Sequence, residues 1–122
     1  MRQTVQATKI IGTLVRNWQG EELGTITEIM IHKFEGTIAY LVLSYVGDFG
    51  LLNPTKRFAV PFEAIARKRA ADGTFEYILN VDRAFLERFP GFDEENWPDF
   101  ADERFITLLS EFYKDVHVDV SV

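Results

Sequence analysis

Apolar residues in the first half of the chain fall in short runs, separated by polar stretches that contain glycine, asparagine, aspartate or proline. Runs of this kind, rich in Ile, Val, Thr and Tyr, are typical of β-strands. Gly20 and Gly36 lie in the turns between runs, where a residue without a Cβ adopts positive φ without strain. The pattern predicts a small antiparallel sheet or barrel. Its first four strands, starting at Lys9, are KIIGTLVRN, LGTITEIMIHK, GTIAYLVLSYV and KRFAVPF.

A second pair of strands is predicted further along the chain. The Asp-Gly pair of ADGT is typical of a tight hairpin and joins AIARKRA to FEYILNV. Apolar residues at every second position give FEYILNV one buried face, formed by Phe75, Tyr77, Leu79 and Val81. Pro61 has no N–H to donate to a β-ladder. We therefore expect its strand to end there or just before, with FEAI as a turn or one helical turn.

The periodicity becomes helical after these strands. Asp82 is placed as the N-cap of a short helix in RAFLERF, and a second helix is predicted from near Pro98 to about Tyr113. In the second helix, apolar residues recur at intervals of three and four: Trp97, Ala101, Phe105, Leu108, Leu109 and Phe112. The alternating valines of DVHVDVSV predict a final strand that needs a sheet edge as its partner.

These elements predict one domain that is mainly β within the α+β class. A small antiparallel β-barrel of about six strands occupies residues 8–92, and a C-terminal helical extension over 93–122 ends in the short edge strand. The 122 residues suit a single core. Hydrophobic residues make up 47% of the chain, which is enough to form that core without disulfides or a metal.

Composition limits the chemistry. The absence of cysteine excludes thiol catalysis, iron–sulfur ligation and disulfides. A net charge of −6 repels a phosphate backbone, and Arg67 to Arg69, the one basic cluster, is too small to offset it, so direct nucleic-acid binding is not expected. No run approaches the ~18 apolar residues of a membrane span, and we expect a cytoplasmic protein without membrane insertion. Nucleophile elbows, phosphate loops and dinucleotide fingerprints are missing from the sequence, which favours a non-enzymatic protein without a cofactor.

A weak metal-site candidate lies in the final predicted strand. Asp115, His117 and Asp119 would share one face at spacings of about 7 Å, and carboxylate with imidazole can ligate zinc or manganese. The same residues also suit a solvated edge strand, whose charges oppose aggregation. We favour that explanation, and we expect no bound metal.

The order of these features is similar to that of the PRC-barrel family, and in particular to its stand-alone bacterial members. The family is named for a domain of the photosynthetic reaction-centre H subunit and includes a domain of a ribosome-maturation factor. The resemblance covers residues from about 9 to 92. It depends on a Gly-Glu pair, a Leu-Gly strand with an acidic residue, an aromatic third strand, a glycine loop and a Val-Pro-aromatic corner. These places are held here by Gly20, Glu21, Leu23, Gly24, Glu28, Tyr40, Gly47, Gly50, Val60, Pro61 and Phe62.

The resemblance implies a filled barrel that presents a binding surface rather than an active site. We therefore expect a non-enzymatic interaction or assembly module that docks on a protein partner. Two alternatives stay open. One is a factor in RNA processing or ribosome assembly that acts through a ribosomal protein, and the other is a small-ligand or metal-binding protein.

The apolar stripe of the second helix also predicts a homodimer. A barrel closed by its own strands has limited surface to cover the whole stripe, and a second copy offers a self-complementary contact. The residues expected at that interface are Trp97, Phe105, Leu108, Leu109 and Phe112. Packing of the same stripe on its own barrel is the competing interpretation.

Overall fold

The computed structural model describes residues 4–45, 56–88, 91–92 and 97–116. In chain order these residues form the helix α1, six strands with a 3-10 turn after the fourth, and the helices α2 and α3. Their bounds are α1 Ala7–Ile10, β1 Leu14–Arg16, β2 Glu22–Ile31, β3 Ile38–Tyr45, β4 Arg57–Pro61, the 3-10 turn Phe62–Ala64, β5 Ile65–Arg69, β6 Phe75–Leu79, α2 Arg83–Glu87 and α3 Glu103–Tyr113. The predicted fold class, a mainly β barrel-type sheet of six strands with C-terminal helices, is confirmed.

All six strands form one sheet in the order β4-β3-β2-β1-β6-β5. Four of the five neighbouring pairs are antiparallel, as predicted, but β1 and β6 are parallel, with Val15 opposite Tyr77. The chain reverses three times from β1 to β4, passes the 3-10 turn into β5 without reversing, and reverses once more into β6. Because four reversals restore the original direction, β6 meets β1 in parallel.

The turn between β4 and β5 requires the sheet to curl. These two strands lie at opposite ends of the strand order. In a flat sheet they would be about 24 Å apart, since five spacings of about 4.8 Å separate them. Only Phe62–Ala64 separates Pro61 from Ile65, and such a segment spans at most about 14 Å. The sheet therefore bends into a half-barrel whose two ends meet at this corner.

The core fills the concave side of the half-barrel. Leu41 and Val60 are opposite each other in the β3–β4 ladder, as are Leu43 and Phe58, and all four side chains are fully buried. Other members of the same cluster come from the remaining strands and from both C-terminal helices: Val15, Leu23, Ile26, Ile65, Tyr77, Leu79, Leu86, Leu109 and Tyr113.

The C-terminal helix α3 packs beside β4 and the start of β3. Tyr40 and Pro61 are opposite each other in this ladder, one residue out of phase with the core pair, and they line a cleft together with Leu109. The ring of Tyr40 is 5.5 Å from that of Phe100, which in turn is 5.2 Å from Phe105. The extension thus packs on its own barrel. α3 has 11 residues, and no helix in the described ranges has the length and apolar character that would let it cross a membrane.

Two sequence predictions are wrong at their boundaries. The first strand was predicted from Lys9, but Ala7–Ile10 is helical and β1 begins at Leu14. The last helix was predicted from near Pro98, but it begins at Glu103, after a turn in which Asp99 accepts a hydrogen bond from the Ala101 N–H. The predicted final strand covers residues 115–122, of which 117–122 lie outside the described ranges.

Candidate protein-interaction surface

The Gly-Glu pair of the β1–β2 turn belongs to a buried hydrogen-bond network around Asn17, whose side chain is 3% exposed. The Asn17 amide nitrogen donates to Glu21 Oε1 at 3.0 Å and to the Val81 carbonyl at 3.1 Å, while its oxygen accepts from the Glu21 N–H at 2.9 Å. Gly20 completes this turn with φ +86°. The network joins the β1–β2 turn to the chain that leaves β6, so these residues stabilise the fold.

Gly24 and Glu28 lie on β2 and have different surroundings. A Cβ at Gly24 would lie 2.5 Å from the Ser44 carbonyl oxygen, so only glycine allows this close approach of β2 to β3. The Glu28 side chain is exposed to solvent. Of the remaining family-pattern positions, Gly47 lies outside the described residues. Pro61 forms the corner described above.

Exposed apolar side chains gather at one end of the half-barrel, which we call the apolar end and define by Val5, Ile31, Phe34 and Phe75. Phe34 lies at the tip of the β2–β3 hairpin and is 93% exposed; Ile31, where the hairpin begins, is 57% exposed. Ile31 is opposite Ile38 in the ladder, and Ile38 borders a cleft that Val5 and Phe75 also line. Grouped exposure of this kind marks interaction surfaces, whereas single exposed apolar residues are common on any protein.

The cleft, which we call the edge cleft, has a volume of about 500 Å³. Ile38 comes from β3, Phe62 from the corner between β4 and β5, and Arg67 and Arg69 from β5. The Arg67 guanidinium lies 4.8 Å from the centre of the Phe62 ring, and that of Arg69 lies 5.5 Å from the centre of the Phe75 ring. The cleft therefore combines apolar walls with two cations held over aromatic faces.

A second cleft, of about 420 Å³, lies between α3 and the β3–β4 ladder. The residues predicted for a dimer interface differ in how far they are buried in their own chain. Leu109 is 1% exposed and belongs to the core of its own chain, whereas Leu108 is 47% exposed. The Phe112 ring lies against the Phe85 ring of α2, with 4.3 Å between the ring centres, and Phe105 is half-buried. Trp97 is exposed, and its ring centre lies 5.1 Å from that of Phe92.

The metal-site candidate is described only in part. Asp115 is exposed just after the end of α3, and His117 and Asp119 lie outside the described residues. Within the ranges that are described, no three His, Cys, Asp or Glu side chains lie close enough together to hold a metal ion.

Sequence reasoning missed both the apolar end and the edge cleft. A signal for the first was present, because HKFEGT places a phenylalanine inside a hairpin turn, where large apolar residues are uncommon. For the edge cleft, the basic cluster of Arg67 to Arg69 was noted, but its position in one cleft with Ile38 of β3 depends on the curl of the sheet and not on nearby residues.

A family model for the PRC-barrel domain matches residues 3–78, which is more than half of the chain and includes all six strands up to Ile78. The chain belongs to the PRC-barrel family. No curated protein matches the sequence. Family membership accounts for the half-barrel and indicates a protein-interaction module in a family that is generally non-catalytic.

Proposed function

We propose that this PRC-barrel protein is a non-enzymatic interaction and assembly module that docks on a protein partner through the apolar end. The observation that carries the proposal is the exposure of Ile31 and Phe34 together on one hairpin. Ile38 of the same hairpin lines a cleft with Val5 and Phe75. Burying a phenylalanine side chain stabilises a contact by about 1.5–3 kcal/mol. Exposed aromatic residues of this kind are typical centres of protein interfaces.

The test compares two neighbouring residues of the same turn. Phe34→Ser removes the aromatic ring, and Lys33→Ser, also at an exposed position, is the matched control. Tagged full-length chains capture partners from native lysate, mass spectrometry identifies them, and binding to the purified partner is then measured. We expect the first substitution to weaken binding about tenfold or more and the control to keep it.

Equal binding by wild type and Phe34→Ser would overturn docking through this end. Salt-independent recovery of a ribosomal protein would instead select the ribosome-assembly alternative for the same surface.

We also propose that the chain forms a homodimer through the exposed side of α3. Leu108 on α3 and Trp97 before this helix keep apolar surface in solvent, although Leu109 is already buried in its own chain. Light scattering after size exclusion should give twice the 14.1 kDa chain mass for wild type. Leu108→Glu, which places a charge in the contact, should give a monomer. A monomeric wild type at micromolar concentrations would refute the dimer.

A further inference from the structure

We propose that the edge cleft binds an extended acidic segment of the partner protein, which adds to the open edge of β5 as an extra strand. The proposal rests on the proposed function, because Val5 and Phe75 belong both to the apolar end and to this cleft. It specifies the chemistry of the partner that docks there.

The two end strands of the sheet differ in how their outer edges are used. At β4, Arg57 and Phe92 exchange two backbone hydrogen bonds of 2.8 and 2.9 Å, so part of that edge is covered. Within the described ranges, β5 pairs only with β6. An end strand exposes a row of N–H and C=O groups, and extended peptides bind such rows by completing the ladder.

The register of β5 decides which of its basic side chains border the cleft. Ile65, Arg67 and Arg69 are opposite Leu79, Tyr77 and Phe75, respectively. Since Ile65, Leu79 and Tyr77 belong to the core cluster, both arginines lie on the concave face. Lys68 is opposite Glu76 and therefore lies on the convex face. Two cations at alternate positions, about 7 Å apart, match carboxylates at alternate positions of an extended peptide.

The charged side chains that line the edge cleft favour an acidic peptide. The chain carries a net charge of −6, yet the described residues that line this cleft include Arg67 and Arg69 and no carboxylate. Arg67 has no ion-pair partner among the residues that the structure describes. A carboxylate placed here forms a charge-assisted hydrogen bond, and Ile38 and Phe62 offer apolar contact to the methylene groups of the same acidic side chains.

A synthetic hexapeptide of alternating glutamate and valine, with blocked ends, is the probe. We would titrate it into the full-length 15N-labelled chain and follow backbone amide shifts by NMR, expecting changes at residues 65–69 and at Ile38. Arg67→Gln should weaken binding about tenfold. Lys68→Gln removes the same charge from the other face and should change affinity less than about twofold, because screening weakens distant charges.

Variants of the peptide test strand addition without altering the protein. Glutamine in place of glutamate should weaken binding as Arg67→Gln does. N-methylation removes backbone donors, and only alternate residues of an added strand donate to β5. Methylation at the odd positions and methylation at the even positions should therefore differ, one abolishing binding and the other leaving it intact.

The inference is overturned if the unmodified peptide causes no shifts at residues 65–69, if both methylated peptides bind equally well, or if Arg67→Gln and Lys68→Gln act alike. The proposed function has a separate readout, which is the dependence of partner capture on Phe34. Phe34-dependent capture with no peptide binding would leave the docking function standing and refute only the acidic-strand partner.

Discussion

The Tyr45 hydroxyl donates a 2.8 Å hydrogen bond to Glu87 Oε1, which connects the end of β3 to the end of α2. The Tyr45 ring is buried in the core, where it meets the Phe58 ring edge-on at 5.6 Å. This one side chain thus belongs both to the core of the half-barrel and to the attachment of the first C-terminal helix. Burial and the Glu87 carboxylate both disfavour ionisation of the Tyr45 hydroxyl.

A double-mutant cycle should measure this attachment. Tyr45→Phe and Glu87→Ala each remove one partner, and the cycle should give a coupling of about 1 kcal/mol in the free energy of unfolding by urea. The value is modest because Glu87 is exposed on the solvent side. Strictly additive effects of the two substitutions would show that the hydrogen bond does not contribute.

The tyrosines predict sensitivity to alkaline pH. Burial, followed by the Glu87 hydrogen bond, raises the pKa of Tyr45 to about 12. Burial also raises the pKa of Tyr40, Tyr77 and Tyr113 above the ordinary value of 10.0. Because the folded protein holds these protons more tightly than the unfolded chain, their contribution to stability is complete below about pH 10 and is lost as the pH rises toward 12 and beyond.

Absorbance of tyrosinate and circular dichroism, followed over the same alkaline range, check this prediction. We expect tyrosine ionisation to coincide with unfolding. Ionisation of all four tyrosines near pH 10 with the fold intact would contradict it. Tyr45→Phe serves as the matched variant, since it removes the group whose pKa is about 12 and should leave the other titrations in place.

Local signals in the sequence predicted local structure well. Pro61 ends β4 and is followed by one 3-10 turn, and Asp82 caps α2 by accepting a 2.8 Å hydrogen bond from the Phe85 N–H. These signals act within a few residues, through a missing donor or a side-chain acceptor. Such effects depend little on the rest of the chain.

The sequence predictions were wrong where two local signals compete, or where contacts between distant parts of the chain determine the structure. Asp99 and Asp102 each accept a backbone hydrogen bond two residues on, and the second cap, not Pro98, sets the start of α3. Isoleucines at 10 and 11 favour a strand by propensity, yet Ile10 is helical and buried in the core. The parallel β1–β6 pair and the edge cleft depend on sheet order and curl, which no short stretch of sequence specifies.

Gly24 is predicted to be the most restrictive of the described glycines in β2 and its hairpin. Gly24→Ala should lower the free energy of unfolding by about 3 kcal/mol, because its Cβ would lie 2.5 Å from the Ser44 carbonyl oxygen. Gly36→Ala has open space around its Cβ and a φ of +77°, so only backbone strain of about 1 kcal/mol is expected. Urea unfolding of both variants gives the comparison, and an equal loss would show that the β2–β3 approach can relax.

Asn17 should be intolerant of substitution, even by a residue of the same size. Asn17→Ala removes partners from the Val81 carbonyl and from Glu21, at a cost of about 2–3 kcal/mol. Asn17→Asp keeps the shape but directs a carboxylate at these acceptors, so the loss should be as large at neutral pH and smaller in acid, where protonation supplies an O–H donor. Gln19→Ala, in the same turn but exposed, is the control. Wild-type stability of Asn17→Asp at neutral pH would contradict the network.

Leu109 and Leu108 are adjacent on α3 and test whether the C-terminal extension completes the fold of its own chain. Leu109→Ala empties a site that is 1% exposed in the core, so it should lower the free energy of unfolding by about 3 kcal/mol. Leu108→Ala, at 47% exposure, should change the stability of the monomer by no more than about 0.5 kcal/mol. Both variants delete the same atoms from the same helix, so helix propensity cancels in the comparison.

Unfolding is measured at several protein concentrations, because loss of a dimer contact at Leu108 would appear only as a concentration-dependent effect. Similar small losses at both positions would mean that α3 does not hold the half-barrel together, and that the extension is an appendage to a fold that is stable without it.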